Sequence, residues 1–377
     1  MQRFLLLLLI CHLLTGCRER PVKEATVAEE QQIPLKYARG FAMYKGEGYY
    51  RVLIRDADDT LSISETYYFI FDTLQYESSR DRLEIVLPLQ RIASISTTHI
   101  GFLAALQHQQ SLVGITGSRW VQDATIVAAL DNGTVQDIGE EGTLDNERLI
   151  ALHPQVLLAY NSGLDADGQA AQIRRLGIPV VMVNEYLEDH PLGMAEWGKL
   201  FALLLDVPEA GEAWFRNVES TYLSIQQTAR EAGNRPRVLT GLPYRGEWTV
   251  SGGKSFAATY LLDAGAAYLW EDNDSPGNFP VSLEEVMLRA EEATIWVNPG
   301  AAGSIKRIGE ADKRLLGLPP VQNNAVYNNN KRVNKYGGND YWESAVARPD
   351  RVLLDLALIF HPEFFPNDTL YYYTQLK

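Results

Sequence analysis

Cysteine is nearly absent from this chain of 377 residues, which has two, Cys11 and Cys17. Cys11 falls inside an apolar run that we interpret as a signal segment. Once that segment is removed, no pair of cysteines remains for a disulfide and no thiolate set remains for a metal. The fold therefore has to rest on a hydrophobic core, for which a chain of this length with 46% apolar residues is sufficient.

Positive charge and histidine are also scarce. The chain has 34 basic and 48 acidic residues, a balance that argues against nucleic acid as a partner and against electrostatic adhesion to anionic lipid. Its six histidines are scattered, so no cluster indicates a zinc or manganese centre. Gly253-Lys254-Ser255 fails as a phosphate loop because Trp248 stands where the first glycine is needed. We expect no catalytic residues, no bound metal and no cofactor.

The amino-terminal segment indicates the compartment. Residues 4–14 form an apolar run after Arg3, which suits a secretory signal and is too short for a spanning helix. The run closes with Leu14-Thr15-Gly16-Cys17, as bacterial lipoprotein signals do, which predicts removal of residues 1–16 and lipidation of Cys17. An ordinary secretory signal with a chance cysteine is the alternative. The lipoprotein interpretation places the protein in the periplasm or cell envelope, held to the membrane through its lipid alone.

Changes of residue pattern divide the rest of the chain. Residues 17–33 lack aromatics and are rich in glutamate, which is typical of a disordered tether. Short β-type runs dominate residues 37–90, which predicts an antiparallel extension. From residue 91 strands and helices alternate, as in proteins with mainly parallel sheets. Apolar residues at intervals of three and four predict one long amphipathic helix over residues 208–232.

These patterns predict an α/β fold of two lobes joined by the long helix. The predicted parts are an N-terminal lobe over residues 34–207 with its β-rich extension at 37–90, a linking helix at 208–233, a C-terminal lobe at 234–362 and a tail at 363–377. In the alternative interpretation, the long helix is an ordinary core helix of one larger domain.

Two short helices of similar pattern are predicted, one in each half. Asp145 and Ser282 are N-cap residues, and Glu147 and Glu284 follow each of them by two positions. An acid in a first turn gains free energy from the helix dipole, so a structural role would account for either glutamate. One such glutamate on each matching helix could instead form two points of a docking face.

Four stretches in order carry a more specific pattern. They are RIASIS at 91–96, ERLIALHP at 147–154, VSGGKS at 250–255 followed by LLDAGA at 261–266, and VSLEEV at 281–286. Together they resemble the helical-spine, or class III, periplasmic substrate-binding proteins of ABC importers, which bind siderophores, haem and cobalamin. The resemblance covers about residues 91–362. The β-rich segment lies outside it, and Gln155 stands where the family usually has aspartate.

The resemblance implies a fold and a set of partners. It implies two α/β lobes with the ligand held between them, and an ABC permease dimer with its ATPase subunits as the partner. In the family, one glutamate on each lobe meets arginines of the permease, a role that falls on Glu147 and Glu284 in this chain. Charge pairs of this kind orient docking more than they add affinity.

Candidate ligand-binding residues are the aromatic and polar side chains beyond the carboxyl ends of the predicted strands, where ligands of open α/β sheets lie. They are His99, Arg119, Trp120, Tyr160, Tyr186, Tyr244, Arg245, Trp248, Phe279, Asp340, Tyr341 and Trp342. The rings would pack against a bulky chelate, and the two arginines would pair with an anionic group on it. The alternative for each ring is a place in the half-buried core, which is the commoner position for a tyrosine or tryptophan at a strand end. Trp248 and Trp342 are the preferred candidates because both lie in glycine-rich loops.

The residues favour a carrier over other classes of function. We predict a lipid-anchored substrate-binding protein that captures a ferric siderophore or haem and delivers it to a permease. A cobalamin-binding protein of the same family is the first alternative. Further alternatives are an enzyme on the same two-lobe fold and a surface adhesion protein. An enzyme would need a nucleophile, an acid–base pair or a set of metal ligands, and the motifs provide none of these.

Overall fold

The computed structural model describes residues 30–56, 61–140, 142–164 and 168–377. The predicted signal segment and the lipidation site at Cys17 lie outside the described residues. Within the described ranges, buried hydrophobic side chains form two separate clusters. The first is built mainly from residues before 208, and the second mainly from residues after it. The prediction of two lobes is thus confirmed, and the long helix does not run through one undivided core.

The amino-terminal extension is a five-stranded sheet that forms part of the first lobe. Its strands, in spatial order, are β1 (Gln31–Ile33), β2 (Phe41–Lys45), β3 (Tyr49–Arg55), β4 (Ile63–Ile70) and β5 (Leu83–Val86). Neighbours are antiparallel except β4 and β5, which are parallel, so the expectation of a wholly antiparallel extension is wrong for that pair. Alternate side chains such as Val52 and Ile54 are buried in the first core, because successive residues of a strand face opposite sides.

The end of the predicted tether also belongs to this sheet. Residues 31–33 pair with β2, although the sequence placed them in a disordered segment. Glu30 accepts hydrogen bonds from Arg51 and from the Tyr49 hydroxyl, at 2.9 Å for the latter. These partners lie about 20 residues away in sequence, which explains why the local composition gave no sign of them.

The first lobe is built around a parallel sheet of order β12-β11-β6-β7-β8. The strands are β6 (Ile92–Ser94), β7 (Leu112–Ile115), β8 (Gln136–Asp137), β9 (Gly139–Glu140), β10 (Thr143–Leu144), β11 (Val156–Ala159) and β12 (Val180–Met182), with β9 and β10 forming a separate antiparallel pair. The helices are α1 (Thr97–Ala105), α2 (Ala124–Asp131), α3 (Asn146–Ala151), α4 (Asn161–Leu164), α5 (Gln169–Arg175), α6 (Pro191–Glu196) and α7 (Gly198–Leu204). The predicted alternation of strands and helices is therefore confirmed.

Helix α8 (Pro208–Glu231) joins the lobes, with 24 residues spanning about 36 Å. Pro208 occupies its first turn and Gly233 follows its end with φ of +69°, as the sequence predicts. Its buried side chains recur at intervals of three and four and include Val218, Tyr222 and Ile225. One end packs on α7 of the first lobe, and the other end packs on helices of the second lobe.

The second lobe has a five-stranded sheet of order β15-β13-β17-β18-β19, in which only the edge strand β19 is antiparallel. The strands are β13 (Arg237–Thr240), β14 (Trp248–Ser251), β15 (Ala267–Tyr268), β16 (Asn278–Val281), β17 (Ile295–Val297), β18 (Val326–Asn328) and β19 (Thr374–Gln375), with β14 and β16 forming a ribbon. The helices are α9 (Phe256–Asp263), α10 (Leu283–Ala290), α11 (Ile305–Ala311), α12 (Pro319–Gln322), α13 (Asp340–Ser344) and α14 (Pro349–Phe360).

The carboxyl-terminal residues are integral to the second lobe. The sequence separated residues 363–377 as a tail, yet they supply β19 and the fully buried Tyr372 and Tyr373. The buried carboxylate of Asp355 accepts backbone N–H bonds from both tyrosines, at 2.6 and 3.0 Å. This anchor ties the tail to α14, so the tail is part of the folded lobe.

A second contact between the lobes lies on α13. The buried Glu343 carboxylate accepts hydrogen bonds from the backbone N–H groups of Gln122 and Asp123, at 2.8 and 2.6 Å. The Cβ position of Gly101 on α1 lies 2.3 Å from the carbonyl oxygen of Glu343, so a side chain there would block the approach. The lobes are thus tied together at α13 as well as through α8.

We predict that Gly211→Ala lowers the free energy of unfolding by about 1–3 kcal/mol. A Cβ at Gly211 would lie 2.2 Å from the Cβ of Ala202, so α8 and α7 would have to separate. This cost should exceed the gain of about 1 kcal/mol in helix propensity. Urea unfolding checks the prediction. Gly317→Ala is the control, because no described atom lies within 4 Å of its added Cβ. A G211A variant as stable as the parent would contradict the close packing of α8.

Candidate ligand cavity

A cavity of about 1120 Å³ lies where the two lobes face each other. The first lobe supplies Tyr186, Leu187 and Glu188, which follow β12. The second lobe supplies most of the remaining wall, from the ends of β13, β17 and β18, from the ribbon β14–β16 and from α9 and α13. Ordinary small-molecule sites occupy about 300–1,000 Å³, so this cavity suits a bulky ligand.

Aromatic side chains form part of the wall. Tyr186, Tyr341 and Trp342 line the cavity, as the sequence predicts, and Phe256 and Tyr268 line it without having been predicted. Trp342 is 61% exposed, so its ring is available for contact with a ligand. Tyr160 lies behind Tyr186, in an edge-to-face contact with ring centroids 5.9 Å apart. Burial raises the pKa of Tyr341 to about 12, which keeps its phenol neutral.

Asparagine is the commonest polar residue of the wall. Six of the described lining residues are asparagines, at positions 278, 298, 328, 329, 330 and 339. Several are fixed by the backbone: the Asn328 Nδ2 atom donates to the carbonyls of Gly300 and Ala302, at 3.0 and 2.8 Å. The Asn339 Nδ2 atom donates to the Asn329 carbonyl at 3.0 Å. The wall is therefore a set of oriented neutral dipoles rather than a set of charges.

Charge is almost absent from the same wall. Among the described residues that line the cavity, there is no lysine, arginine or histidine, and Glu188 is the one acid. Both oxygens of Glu188 are engaged: they accept the backbone N–H groups of Arg39 and Gly40, at 2.9 Å each, and the Trp197 Nε1–H at 2.8 Å. Burial raises the pKa of Glu188, against the opposing effect of these bonds. Its carboxylate is committed to the fold.

The preference for Trp248 as a ligand residue is wrong. Its side chain is fully buried, donates from Nε1 to the Thr240 carbonyl at 3.1 Å, and stacks on Trp296 with centroids 5.8 Å apart. Trp248 and Val250 face the core, so the alternation of the strand turns Thr249 toward the cavity. Gly241 makes room for the buried indole, since a Cβ there would lie 2.7 Å from Trp248 Nε1.

His99 and Asp340 are likewise part of the packed structure. His99 is fully buried, with Nδ1 2.7 Å from the Ser94 hydroxyl, and burial lowers its pKa to about 3. The histidine is therefore neutral and starts α1 rather than facing a ligand. Asp340 is 6% exposed and pairs with Arg332 at 2.5 Å, so its carboxylate already has a partner.

Arg119 and Trp120 lie beside the cavity and not in its wall. The Arg119 guanidinium lies over the Trp120 ring, 4.6 Å from its centroid, and 3.5 Å from the Glu140 carboxylate. Trp120 packs beneath Gly337 and Gly338, and a Cβ at Gly338 would come within 2.2 Å of its carbonyl oxygen. Trp120 therefore supports the lining loop from behind, and the predicted pairing of Arg119 with a ligand is not supported.

The remaining predicted residues lie on or near the ribbon. Tyr244 is 71% exposed in the turn that precedes β14, and Arg245 lies over its ring at 5.1 Å. Phe279 is half-buried against the second core. None of the three is among the lining residues, because the turn points its side chains to solvent and the ribbon turns Phe279 inward.

The asparagines are absent from the residues predicted from sequence, because that prediction rests on rings and charges at strand ends. The same strand-end rule, applied to amides, would have found Asn298 after β17 and Asn328, Asn329 and Asn330 after β18. A run of three asparagines directly beyond a strand was visible in the sequence. Its position at the carboxyl edge of the sheet is the signal that should have been used.

Glu147 and Glu284 lie at equivalent positions of α3 and α10. Both side chains are exposed. Asp145 and Ser282 cap the two helices by accepting the N–H groups of Arg148 and Glu285, at 2.9 and 3.1 Å. The caps thus satisfy the helix ends, which leaves both glutamates facing solvent. Their role in docking stays a prediction.

In the described part of the chain, no group of three or more histidine, cysteine, aspartate or glutamate side chains is arranged to hold a metal ion. No helix in the same residues is both long and apolar enough to cross a membrane.

Comparisons with known proteins agree with this architecture. A sequence model described as periplasmic binding protein matches residues 92–334, more than half of the chain. An uncharacterized lipoprotein of Methanocaldococcus jannaschii is 27% identical over 307 residues, which cover 79% of this chain and 71% of that protein.

Several solved structures share the fold. A possible iron-binding periplasmic solute-binding protein from Staphylococcus epidermidis aligns with a TM-score of 0.58 at 18% identity, over 72% of this chain and 99% of that one. A periplasmic heme-binding protein from Pseudomonas aeruginosa aligns at 0.56 and 18%, over 72% and 93%. CeuE of Helicobacter pylori, with Ni(II) bound, aligns at 0.57 and 15%, over 80% and 91%.

We predict that the parent protein loses stability as the pH rises from 5 to 8.5, and that Glu185→Gln removes the part of this loss that comes from Glu185. Burial raises the pKa of Glu185 to about 7 from an ordinary 4.5, while its Oε1 atom accepts a bond from Thr98 at 2.7 Å. The folded state thus holds the proton more tightly, so stability is complete below pH 4.5 and falls as the pH rises through 7. Each pKa unit corresponds to about 1.4 kcal/mol, which gives up to about 3 kcal/mol.

Urea unfolding of parent and E185Q at both pH values measures this effect. The difference in free energy of unfolding between the two proteins separates the effect of Glu185 from that of Glu343, because burial also raises the pKa of Glu343 to about 7. If this difference is the same at pH 5 and at pH 8.5, the raised pKa of Glu185 is contradicted.

Proposed function

The chain belongs to the periplasmic binding protein family, and from that membership we propose that it is the substrate-binding protein of an ABC importer. In this proposal it captures a bulky metal chelate outside the cytoplasm and delivers it to a permease dimer with ATPase subunits. The observation that carries the proposal is the cavity of about 1120 Å³ between two separately packed lobes. Structural relatives described as binding iron, heme and Ni(II) support the class of cargo.

The ligand is proposed to be a ferric siderophore or haem, with cobalamin as the alternative. The rings of Tyr186, Tyr341 and Trp342 offer rigid surface to a bulky guest, and lining amides that the backbone does not use, such as that of Asn330, offer hydrogen bonds to it. A bare metal ion fits poorly, because no described cluster of acids and histidines could hold it. An enzyme on this fold stays a weaker alternative, since the family is one of binding proteins.

Anchoring through Cys17 is proposed on two grounds. Residues 1–17 have the pattern of a lipoprotein signal. The relative from Methanocaldococcus jannaschii is described as a lipoprotein. An acyl chain contributes about 0.8 kcal/mol for each buried methylene, so a lipidated cysteine would hold the carrier near its permease.

Ligand titration tests the proposed function. The purified protein is titrated with ferric siderophores, haemin and cyanocobalamin while its intrinsic tryptophan fluorescence is followed. We expect saturable quenching by at least one chelate, because Trp342 lies in the wall and is largely exposed. A folded protein that responds to none of them would refute the proposal.

We predict that Trp342→Ala weakens binding of that chelate about tenfold or more, since an aromatic contact of this kind contributes about 1.4 kcal/mol or more. Isothermal titration calorimetry measures the effect without depending on tryptophan fluorescence. Tyr244→Ala is the control, because it removes another exposed ring that does not line the cavity. Equal affinities in the W342A and Y244A variants would remove Trp342 from the binding wall.

We predict that the double variant Glu147→Ala, Glu284→Ala leaves ligand affinity intact and lowers uptake in cells. Both side chains are exposed at the starts of matching helices and neither lines the cavity, so we expect their loss to affect docking and not ligand binding. The control is Asp131→Ala with Glu291→Ala, which removes the same charge from exposed positions at the C-terminal ends of α2 and α10. Uptake that is equal in the two double variants would end the docking assignment.

A further inference from the structure

We propose that the ligand is a chelate without net charge that presents amide, carbonyl or hydroxyl groups to the wall, an inference that rests on the proposed function. The wall combines five aromatic rings with six asparagines and with hydroxyl groups such as those of Thr249 and Ser251. Asn328 and Asn339 are committed to the backbone, but the Asn330 Oδ1 atom has no partner among the described residues, and free amides and hydroxyls of this kind match a guest that is polar but neutral. Glu188, the one acid among the described lining residues, already has both carboxylate oxygens engaged by the fold.

An anionic guest would meet an unfavourable environment in this cavity. A carboxylate or catecholate taken from water needs a cation or several N–H donors, since an uncompensated charge is costly to bury. None of the described lining residues is a lysine, arginine or histidine. The described part of the wall therefore provides no counter-charge for the propionates of haem or for a ferric tris-catecholate, and the amide N–H groups of Asn328 and Asn339 already donate to backbone carbonyls.

Basic residues that are close in sequence to the wall have other partners. Arg332 pairs with the buried Asp340 at 2.5 Å, and Lys331 donates to the Leu370 carbonyl. Lys335 lies over the Tyr336 ring, 4.8 Å from its centroid. Turning any of these toward a ligand would break an existing contact, and for Arg332 it would leave Asp340 buried without its cation.

Two chelate chemistries fit the neutral wall. Three hydroxamate groups balance the charge of a ferric ion, so a cyclic ferric trihydroxamate is neutral and exposes peptide amides. A corrinoid such as cyanocobalamin is neutral overall and carries amides around its ring. Both share the feature that the wall selects, namely polar groups without net charge.

Calorimetry with four probes tests the inference: a neutral cyclic ferric trihydroxamate, cyanocobalamin, haemin and a ferric tris-catecholate. We expect at least one of the two neutral probes to bind at least tenfold more tightly than both anionic probes. Haemin or the tris-catecholate binding as tightly as the better neutral probe would overturn the inference and leave the proposed function standing. No binding of any probe would refute the proposed function, and the inference with it.

A charge introduced into the wall provides a second test. Thr249 is exposed on β14 and faces the cavity, so Thr249→Lys places a cation at the wall without disturbing the core. We expect the affinity ratio of haemin to the neutral probe to rise about tenfold in T249K relative to Thr249→Gln, which adds length without charge. Thermal melting confirms that both variants are folded. Equal ratios in T249K and T249Q would show that wall charge does not set selectivity, which overturns the inference.

Discussion

The packing of helix α8 against both lobes is the constraint on which the cavity depends. Near its start, Gly211 allows the helix to lie directly on Ala202 of α7. Farther along, the Tyr222 hydroxyl donates to the buried Asp263 carboxylate at 2.7 Å, which fixes the helix to α9 of the second lobe. Because each end is fixed to a different core, the helix sets the separation of the lobes, and the space between them is the ligand cavity.

Two buried carboxylates extend this framework to the first-lobe wall. Glu196 accepts the backbone N–H groups of residues 36–38, and Glu188 accepts those of residues 39 and 40. The segment that joins β1 to β2 of the extension is thereby bound next to the loop that carries Tyr186 and Leu187. The β-rich extension, which lies outside the matched family region, thus braces one side of the cavity.

The fold was largely predictable because it follows from local periodicity. Neighbouring residues alone indicate the apolar stripe of α8, its proline and glycine ends, and the buried runs of β11 and β12. The carboxylate anchors were not predictable, since Glu188 and Glu196 find their backbone partners 148 to 160 residues away. The same limit applies to residues 363–377, whose burial depends on Asp355 and on pairing with β18.

The site was predictable in position but less so in chemistry. Strand ends indicated Tyr186, Tyr341 and Trp342, which line the cavity, yet the same reasoning chose Trp248 because sequence does not tell which side of a ribbon faces the core. The sequence reasoning also favoured charged residues, whereas charged side chains near the cavity already pair with one another, as Arg332 does with Asp340.

The chemistry that remains in the wall follows from how the lobes are held. The Glu343 carboxylate accepts hydrogen bonds from two backbone N–H groups of the first lobe, and the Asn339 side-chain amide donates to the Asn329 carbonyl. These bonds fix the loop of residues 337–342 against the first lobe and keep Trp342 in place. A wall fixed in this way does not have to reorganise when a guest enters, so less free energy is lost on ordering side chains. Neutral dipoles also lose less hydration than charges on burial. Rigid amides and rings can therefore hold a bulky neutral guest without a counter-ion. They also do not require a large closure of the lobes, a movement that the contacts at α8 and α13 would resist.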